Sequence, residues 1–273
     1  MMKTPFDPQA CHKAIRNGVT AIYGWSDDGE LDERNVFYVR LVHETGLLLP
    51  GKHLVDLGPG LSAFGPVMRQ LGMKVTLVDD FGGGGGVDIA RRNAALQKLA
   101  AFQEKLGINV AALDFLSNPL PLESGSADIV TCLHSLEHWH HSPKPLFREI
   151  TRVLKPAGFL IIATPNAVNL RKRLAVPLGI TNYGTLEEWY HDGDPVYRGH
   201  VREPIVRDLQ RLLEWNNFEV VSTLGRNFIG RDSIALGFLP KSLMHSIAIA
   251  TDYVIRFFPS LCSDIHVIGK KWS

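Results

Sequence analysis

Two glycines separated by one residue, Gly58 and Gly60, close the apolar run His53-Leu-Val-Asp-Leu57, and a helix-compatible segment with Ala63, Val67, Met68 and Leu71 follows at once. Strand, tight turn and helix in immediate succession form the opening unit of a doubly wound α/β sheet, whose ligands bind at the strand ends. Glycine lets the backbone turn sharply there and lets a ligand approach with no Cβ in the way. The first N–H groups of the helix behind the turn have no intrahelical acceptor.

A Gly-x-Gly turn serves dinucleotide-binding, flavin-binding and methyl-transferring domains alike. Two details narrow the choice: Asp56 stands two places before Gly58, and the third position of a Gly-x-Gly-x-x-Gly fingerprint is Ala63. A carboxylate suits a cationic ligand without phosphate and would repel a pyrophosphate. The pattern Asp-x-Gly-x-Gly resembles motif I of the class I S-adenosylmethionine-dependent methyltransferases, whose cofactor carries a sulfonium and a free amino acid end. That resemblance implies a Rossmann-like, seven-stranded, mostly parallel sheet with an antiparallel last strand and helices on both faces. It also implies methyl transfer from S-adenosylmethionine.

Later stretches extend the resemblance over about residues 50 to 270. Lys74-Val-Thr-Leu-Val-Asp79-Asp80 reads as a second buried strand ending in two carboxylates. A carboxylate some 20 residues after the glycine turn is placed for a ribose diol, which makes Asp79 the ribose ligand and Asp80 its alternative. Residues 88–106 read as a crossover helix and Ile108–Leu113 as the third strand, leading into Asp114-Phe115. In the resembling family an acidic residue there accepts from the adenine amino group and the next side chain covers the ring. Asp56, Gly58 and Gly60 fall to the methionine end.

The fourth strand, Ala127–Leu133, runs into His134-Ser-Leu-Glu137-His138-Trp-His140-His141. This stretch is similar to the Leu-Glu-His segment of small-molecule methyltransferases, among them the ubiquinone-biosynthesis O-methyltransferases, where it borders both cofactor and acceptor. If the segment is helical, His134, Glu137 and His138 share one face. His134 and His138 are the candidate general bases for a hydroxyl acceptor, and His134 also counts among the cofactor-binding residues. A closed metal site needs further ligands that the local sequence lacks, so no metal is expected; a metal-assisted O-methyltransferase is the alternative.

Val153-Leu-Lys-Pro-Ala-Gly-Phe-Leu160 resembles the turn before the fifth strand of the family. Residues 166–200 form an acceptor-side insertion, in which Tyr190, His191 and His200 are the pocket candidates. Arg202–Trp215 has amphipathic helical spacing, Phe218–Leu224 reads as the sixth strand and Ile265–Ile268 as the seventh, with a helix over 243–258 between them. Asn217 stands where the family has glycine, and asparagine tolerates the left-handed conformation. Residues 1–49 are expected to form an N-terminal helical cap, of which Leu31–Leu49 has helical spacing; the methyltransferase domain spans 50–273.

Composition closes off other functions. A net charge of +1 over 273 residues opposes nucleic-acid binding by bulk charge. Cys11, Cys132 and Cys262 are too dispersed for a disulfide framework or a metal cluster. The N-terminus lacks a signal-like apolar region, and Ile234–Leu261 is interrupted by Lys241, His245, Asp252 and Arg256. A cytoplasmic enzyme with a small-molecule acceptor follows, such as a sugar, a lipid-linked glycan or a quinone precursor. Peripheral membrane contact through Phe257–Leu261 is the alternative to a packed crossover helix. A nicotinamide-dependent oxidoreductase and a non-catalytic cofactor-binding scaffold are the competing readings of the whole chain.

Overall fold

Along the central strands, successive apolar side chains enter two different cores. Leu54, Leu77, Ile129, Ile161, Ala163 and Ile268 belong to one; Val55, Leu57, Val78, Val130, Leu160, Ile162 and Val267 belong to the other. Because side chains alternate across a strand, these are the two faces of one sheet, and strands apolar on both faces must be covered on both. The computed structural model describes residues 6–23, 29–60, 62–81, 104–180, 186–191, 199–227 and 252–273, together with 93, 97, 100–101, 183–184 and 197.

The seven strands are β1 (His53–Leu57), β2 (Lys74–Asp79), β3 (Asn109–Ala112), β4 (Ala127–Leu133), β5 (Leu154–Pro165), β6 (Phe218–Arg226) and β7 (Asp264–Lys271). They lie in the order β3-β2-β1-β4-β5-β7-β6. The first five are parallel to one another, and β7 runs antiparallel between β5 and β6. The expected sheet and its antiparallel last strand are therefore present. The order of the strands reverses between β1 and β4, and the cleft at such a switch point is where open α/β sheets bind ligands.

One face is covered by α1 (Pro8–Tyr23), α2 (Gly29–Glu44) and α3 (Phe64–Gln70), the other by α4 (Lys144–Val153) and, beyond the short α5 (Leu170–Ala175) and α6 (Leu186–His191), by α7 (Val206–Trp215). Helix α1 was not legible in the sequence. Its buried residues Cys11, Ala14 and Ile15 join the same core as Val39, Val42 and Met68. At the end of the sheet away from the cleft, buried Asp128 accepts from Lys52 Nζ (3.0 Å), Lys155 Nζ (2.7 Å) and the His53 amide (3.0 Å), which ties the starts of β1, β4 and β5 together.

The fifth strand begins at Leu154, inside the stretch expected to be the turn before it, because Leu154 pairs with Ala127 ahead of a bulge. Asn217 takes φ 62°, as the Asn-for-Gly exchange requires. The crossover helix expected over 88–106 and the helix over 243–258 fall largely outside the described residues, as does the glycine run 82–86. Among the described residues no helix is long and apolar enough to cross a membrane.

Candidate active site

The turn after β1 is built by its two glycines. Gly58 and Gly60 have φ of 70° and 54°, a region costly for other residues. The Gly58 amide donates to Val78 O at 2.9 Å, fastening the turn to β2. A Cβ on Gly58 would stand 2.1 Å from Ser135 Oγ, whereas one on Gly60 would meet nothing within 4 Å. The Gly60 amide donates to Asp79 Oδ2 at 2.8 Å, and the Phe81 amide to Asp79 Oδ1 at 2.9 Å. Burial raises the Asp79 pKa, against the pull of these two amides.

Over this turn opens a cavity of about 390 Å³, within the size range of small-molecule sites. Gly58 and Gly60 form its floor, Asp79 and Asp80 close the β2 end, and Asp114 and Phe115 close the β3 end. His134, Ser135, His138, Trp139 and His140 form the wall beyond β4. Phe115 is buried and meets Trp139 edge-on at 6.1 Å; Trp139 Nε1 donates to Ser135 Oγ at 3.0 Å. The Asp114 carboxylate accepts from the Leu116 amide at 3.0 Å, so its loop is closed on itself.

Most of the residues expected to bind cofactor thus meet in one cleft, but two of the expectations need correction. Asp56 is not on its wall. It is 1% exposed beneath the turn, with Thr131 Oγ1 donating to Oδ1 at 2.6 Å. It reaches the cleft only through its field. The segment after β4 is not an α-helix: it holds a single 3₁₀ turn, Leu136–His138, preceded by His134 at φ 52°. His134 nonetheless stands beside Glu137, with Nδ1 3.5 Å from Oε1.

His200 lies off the cavity wall, with its ring edge-on to His138 at 4.9 Å. Tyr190 and His191 are exposed on α6, edge-on to each other at 5.0 Å and away from the cavity wall. The cleft also uses residues that no motif marks. Arg34, Asn35 and Tyr38 of α2 line it, and the one available signal was buried, polar Asn35 within an otherwise apolar helical stripe. Asp264, at the start of β7, has Oδ1 3.6 Å from His134 Nε2.

The electrostatics favour a cation. Burial, with Asp79 nearby, pushes the Asp56 pKa up to about 7 in spite of the Thr131 bond. Asp79, Asp80 and Asp114 add carboxylates to the same cleft. A pyrophosphate would bring like charge to this group, and a positively charged ligand would relieve it. A group whose folded pKa is raised stabilises the fold below its unfolded pKa, and that contribution is lost as pH rises through the folded value. The ligand-free chain should therefore lose stability between about pH 4 and 7 through Asp56. Asp56→Asn keeps an acceptor for Thr131 without the charge. Its melting temperature, read by scanning fluorimetry, is expected to fall less than the parent's between pH 5 and pH 8.

The comparisons with known proteins bear on this cleft. The family described as a methyltransferase domain matches residues 31–223. The ubiquinone biosynthesis O-methyltransferase of Idiomarina loihiensis is 30% identical over 149 residues, 52% of this chain and 55% of that protein. That of Burkholderia thailandensis is 29% identical over 132 residues, 48% and 51% of the two chains. The chain spans about half the length of the curated relatives it matches. Two solved structures share the fold. A SAM-dependent methyltransferase from Archaeoglobus fulgidus superposes with a TM-score of 0.51 at 17% identity, over 87% of this chain and 94% of that one. The Haemonchus contortus phosphoethanolamine N-methyltransferase 2, in complex with S-adenosyl-L-methionine, does so at 0.52 and 15%, over 97% and 57%.

Proposed function

The chain belongs to the methyltransferase-domain family, the class I S-adenosylmethionine-dependent methyltransferases, and from that premise we propose that it methylates an oxygen of a small molecule. The observation that carries this reading is the continuity of one cleft from the carboxylates of β2 and β3 to the histidines beyond β4. The name of the relatives, O-methyltransferases of ubiquinone biosynthesis, supports oxygen over nitrogen and an aromatic hydroxyl over a sugar.

Fit to the cofactor can be tested on the chain itself. Gly58 leaves its backbone bare on the cleft floor, and a side chain there would collide with Ser135. Asp79 lines the cavity beside Gly60, suited to a ribose diol; Asp114 and Phe115 suit an adenine edge and face. The anionic cluster of Asp56 and Asp79 suits a sulfonium and an ammonium. Bound there, S-adenosylmethionine supplies an activated methyl on a positively charged sulfur.

The residues beyond β4 do the rest. His134 and His138 are the groups on the wall able to take the proton of an acceptor hydroxyl. Trp139 and Phe115 make the same wall apolar, which excludes water from the line of transfer. Alignment of acceptor oxygen and methyl is the main catalytic requirement of a displacement of this kind. We assign acceptor specificity to the 166–200 insertion, whose Leu178, Tyr183 and Trp189 are exposed, and cleft closure to the N-terminal helices, because α2 supplies Tyr38 and Asn35 to the wall.

The test is transfer of a labelled methyl group into a cell extract and into a panel of catechols, sugars and amines, with the product identified by mass spectrometry. A methyl ether on a hydroxylated aromatic is expected. A methylamine as the only product would replace oxygen by nitrogen, and no labelled product from any acceptor would favour a binding protein.

A further inference from the structure

Glu137, His138 and His200 bring one potential ligand atom each into a group whose members all lie within 4.8 Å of one another. We propose that these three side chains bind a divalent metal ion at the edge of the cleft. Ligand atoms around such an ion stand about 3–3.5 Å apart, as follows from bonds of about 2.0–2.2 Å. Closing the remaining gap takes small side-chain rotations.

The backbone already fixes the two segments that supply the ligands. The amides of Val201 and Arg202 donate to the Glu137 carbonyl at 2.8 and 3.2 Å, which clamps the 3₁₀ turn to the segment carrying His200. Both imidazoles are oriented as metal ligands are. His138 Nδ1 lies 3.2 Å from Gly199 O, and His200 Nδ1 lies 2.8 Å from Glu203 Oε1. Glu203 is itself held by Lys172. With Nδ1 as the donor in each ring, the lone pair sits on Nε2, the arrangement in which a second shell of carbonyl and carboxylate sets the tautomer for coordination.

Glu137 provides the independent sign of a missing partner. It is 1% exposed, and Oε2 has no hydrogen-bond partner among the described residues. A buried carboxylate oxygen without a partner is costly. His134, beside the other oxygen at 3.5 Å, leaves Oε2 unserved. Two imidazoles and one carboxylate form a nitrogen-rich set that suits Zn²⁺, Mn²⁺ or Fe²⁺ better than Ca²⁺. His138 lines the cleft, so an open coordination position would face the acceptor, and with His138 on the ion the acceptor's proton falls to His134. The use of that position to polarise a hydroxyl rests on the proposed oxygen acceptor; binding of the ion does not.

The 273-residue chain, stripped with EDTA and dialysed, is titrated calorimetrically with ZnCl₂ and with MnCl₂, and bound metal is counted by mass spectrometry. One ion per chain is expected. His200→Ala, whose half-exposed ring leaves the fold's core untouched, should weaken Zn²⁺ at least 30-fold with an unchanged melting temperature, and Glu137→Gln should do the same. His140→Ala/His141→Ala controls for the neighbouring histidines, half-buried His140 and exposed His141, and should leave the stoichiometry at one. Retention of full Zn²⁺ affinity in folded His200→Ala, or loss of the ion in the control, overturns the site. Metal bound with no methyl transfer keeps the site and rejects the proposed activity. Methyl transfer that is indifferent to EDTA, in a chain that binds the ion, rejects the polarising role alone.

Discussion

Gly58→Ala is expected to lower the melting temperature by about 10 °C and to reduce S-adenosylhomocysteine affinity more than 100-fold. Two costs combine. The backbone at φ 70° charges any Cβ about 1–2 kcal/mol. The new methyl also meets Ser135 Oγ at 2.1 Å and Cβ at 2.8 Å. Ser135 is buried and accepts from Trp139 Nε1, so pushing it aside strands an indole donor in the apolar wall, at about 1–3 kcal/mol. A total of about 2–5 kcal/mol, at about 2–4 °C per kcal/mol for a chain of this size, brackets the stated shift. Scanning fluorimetry and calorimetry measure the two losses separately. Ser135→Gly alone leaves the Trp139 indole without its acceptor and should cost about 1–3 kcal/mol, and Gly58→Ala added to it should cost only the backbone strain, about 1–2 kcal/mol more.

Asp79→Ala should cost about 2–3 kcal/mol of nucleoside binding, the worth of hydrogen bonds to a charged acceptor, or about 100-fold in Kd. The side chain serves twice: it holds the turn through the Gly60 and Phe81 amides, and it lines the cavity where a ribose is expected. Asp79→Asn retains acceptors for one amide and should lose less. Asp80→Ala, with its neighbour intact, should change Kd less than fivefold. If Asp80→Ala takes the larger loss instead, the ribose role moves to Asp80 while the cleft stays as described.

The sheet was legible because its strands are apolar on both faces and end at glycines and carboxylates in a fixed order. Asp56 and Asp79 stand among the last residues of β1 and β2, and Asp114 two residues past β3, each on an apolar run that the sequence marks plainly. The walls of the cleft were less legible, since their residues meet through tertiary packing. Tyr38 and Asn35 come from a helix that reads only as amphipathic. Glu137 and His138 stood out, but their neighbour His200 lies far along the chain from the 3₁₀ turn, joined to it by the backbone bonds of Val201 and Arg202. The segment after β4 forms a 3₁₀ turn and no α-helix for a local reason. His134 adopts φ 52° with its amide bonded to Ala163 O at 2.8 Å, continuing the β4–β5 ladder one residue past the strand and leaving room for only one tight turn before Pro143.

The central claim is that the carboxylate-lined cleft above Gly58 and Gly60 holds a positively charged sulfur nucleoside. Calorimetric titration of the full chain with S-adenosylmethionine and, separately, with NADH tests it most directly, alongside the Asp56→Ala/Asp79→Ala variant checked for folding by circular dichroism. One S-adenosylmethionine per chain, no heat from NADH and at least a 100-fold loss in the folded double variant are expected. Binding of NADH in place of S-adenosylmethionine, or an affinity for S-adenosylmethionine that survives both substitutions, would contradict it.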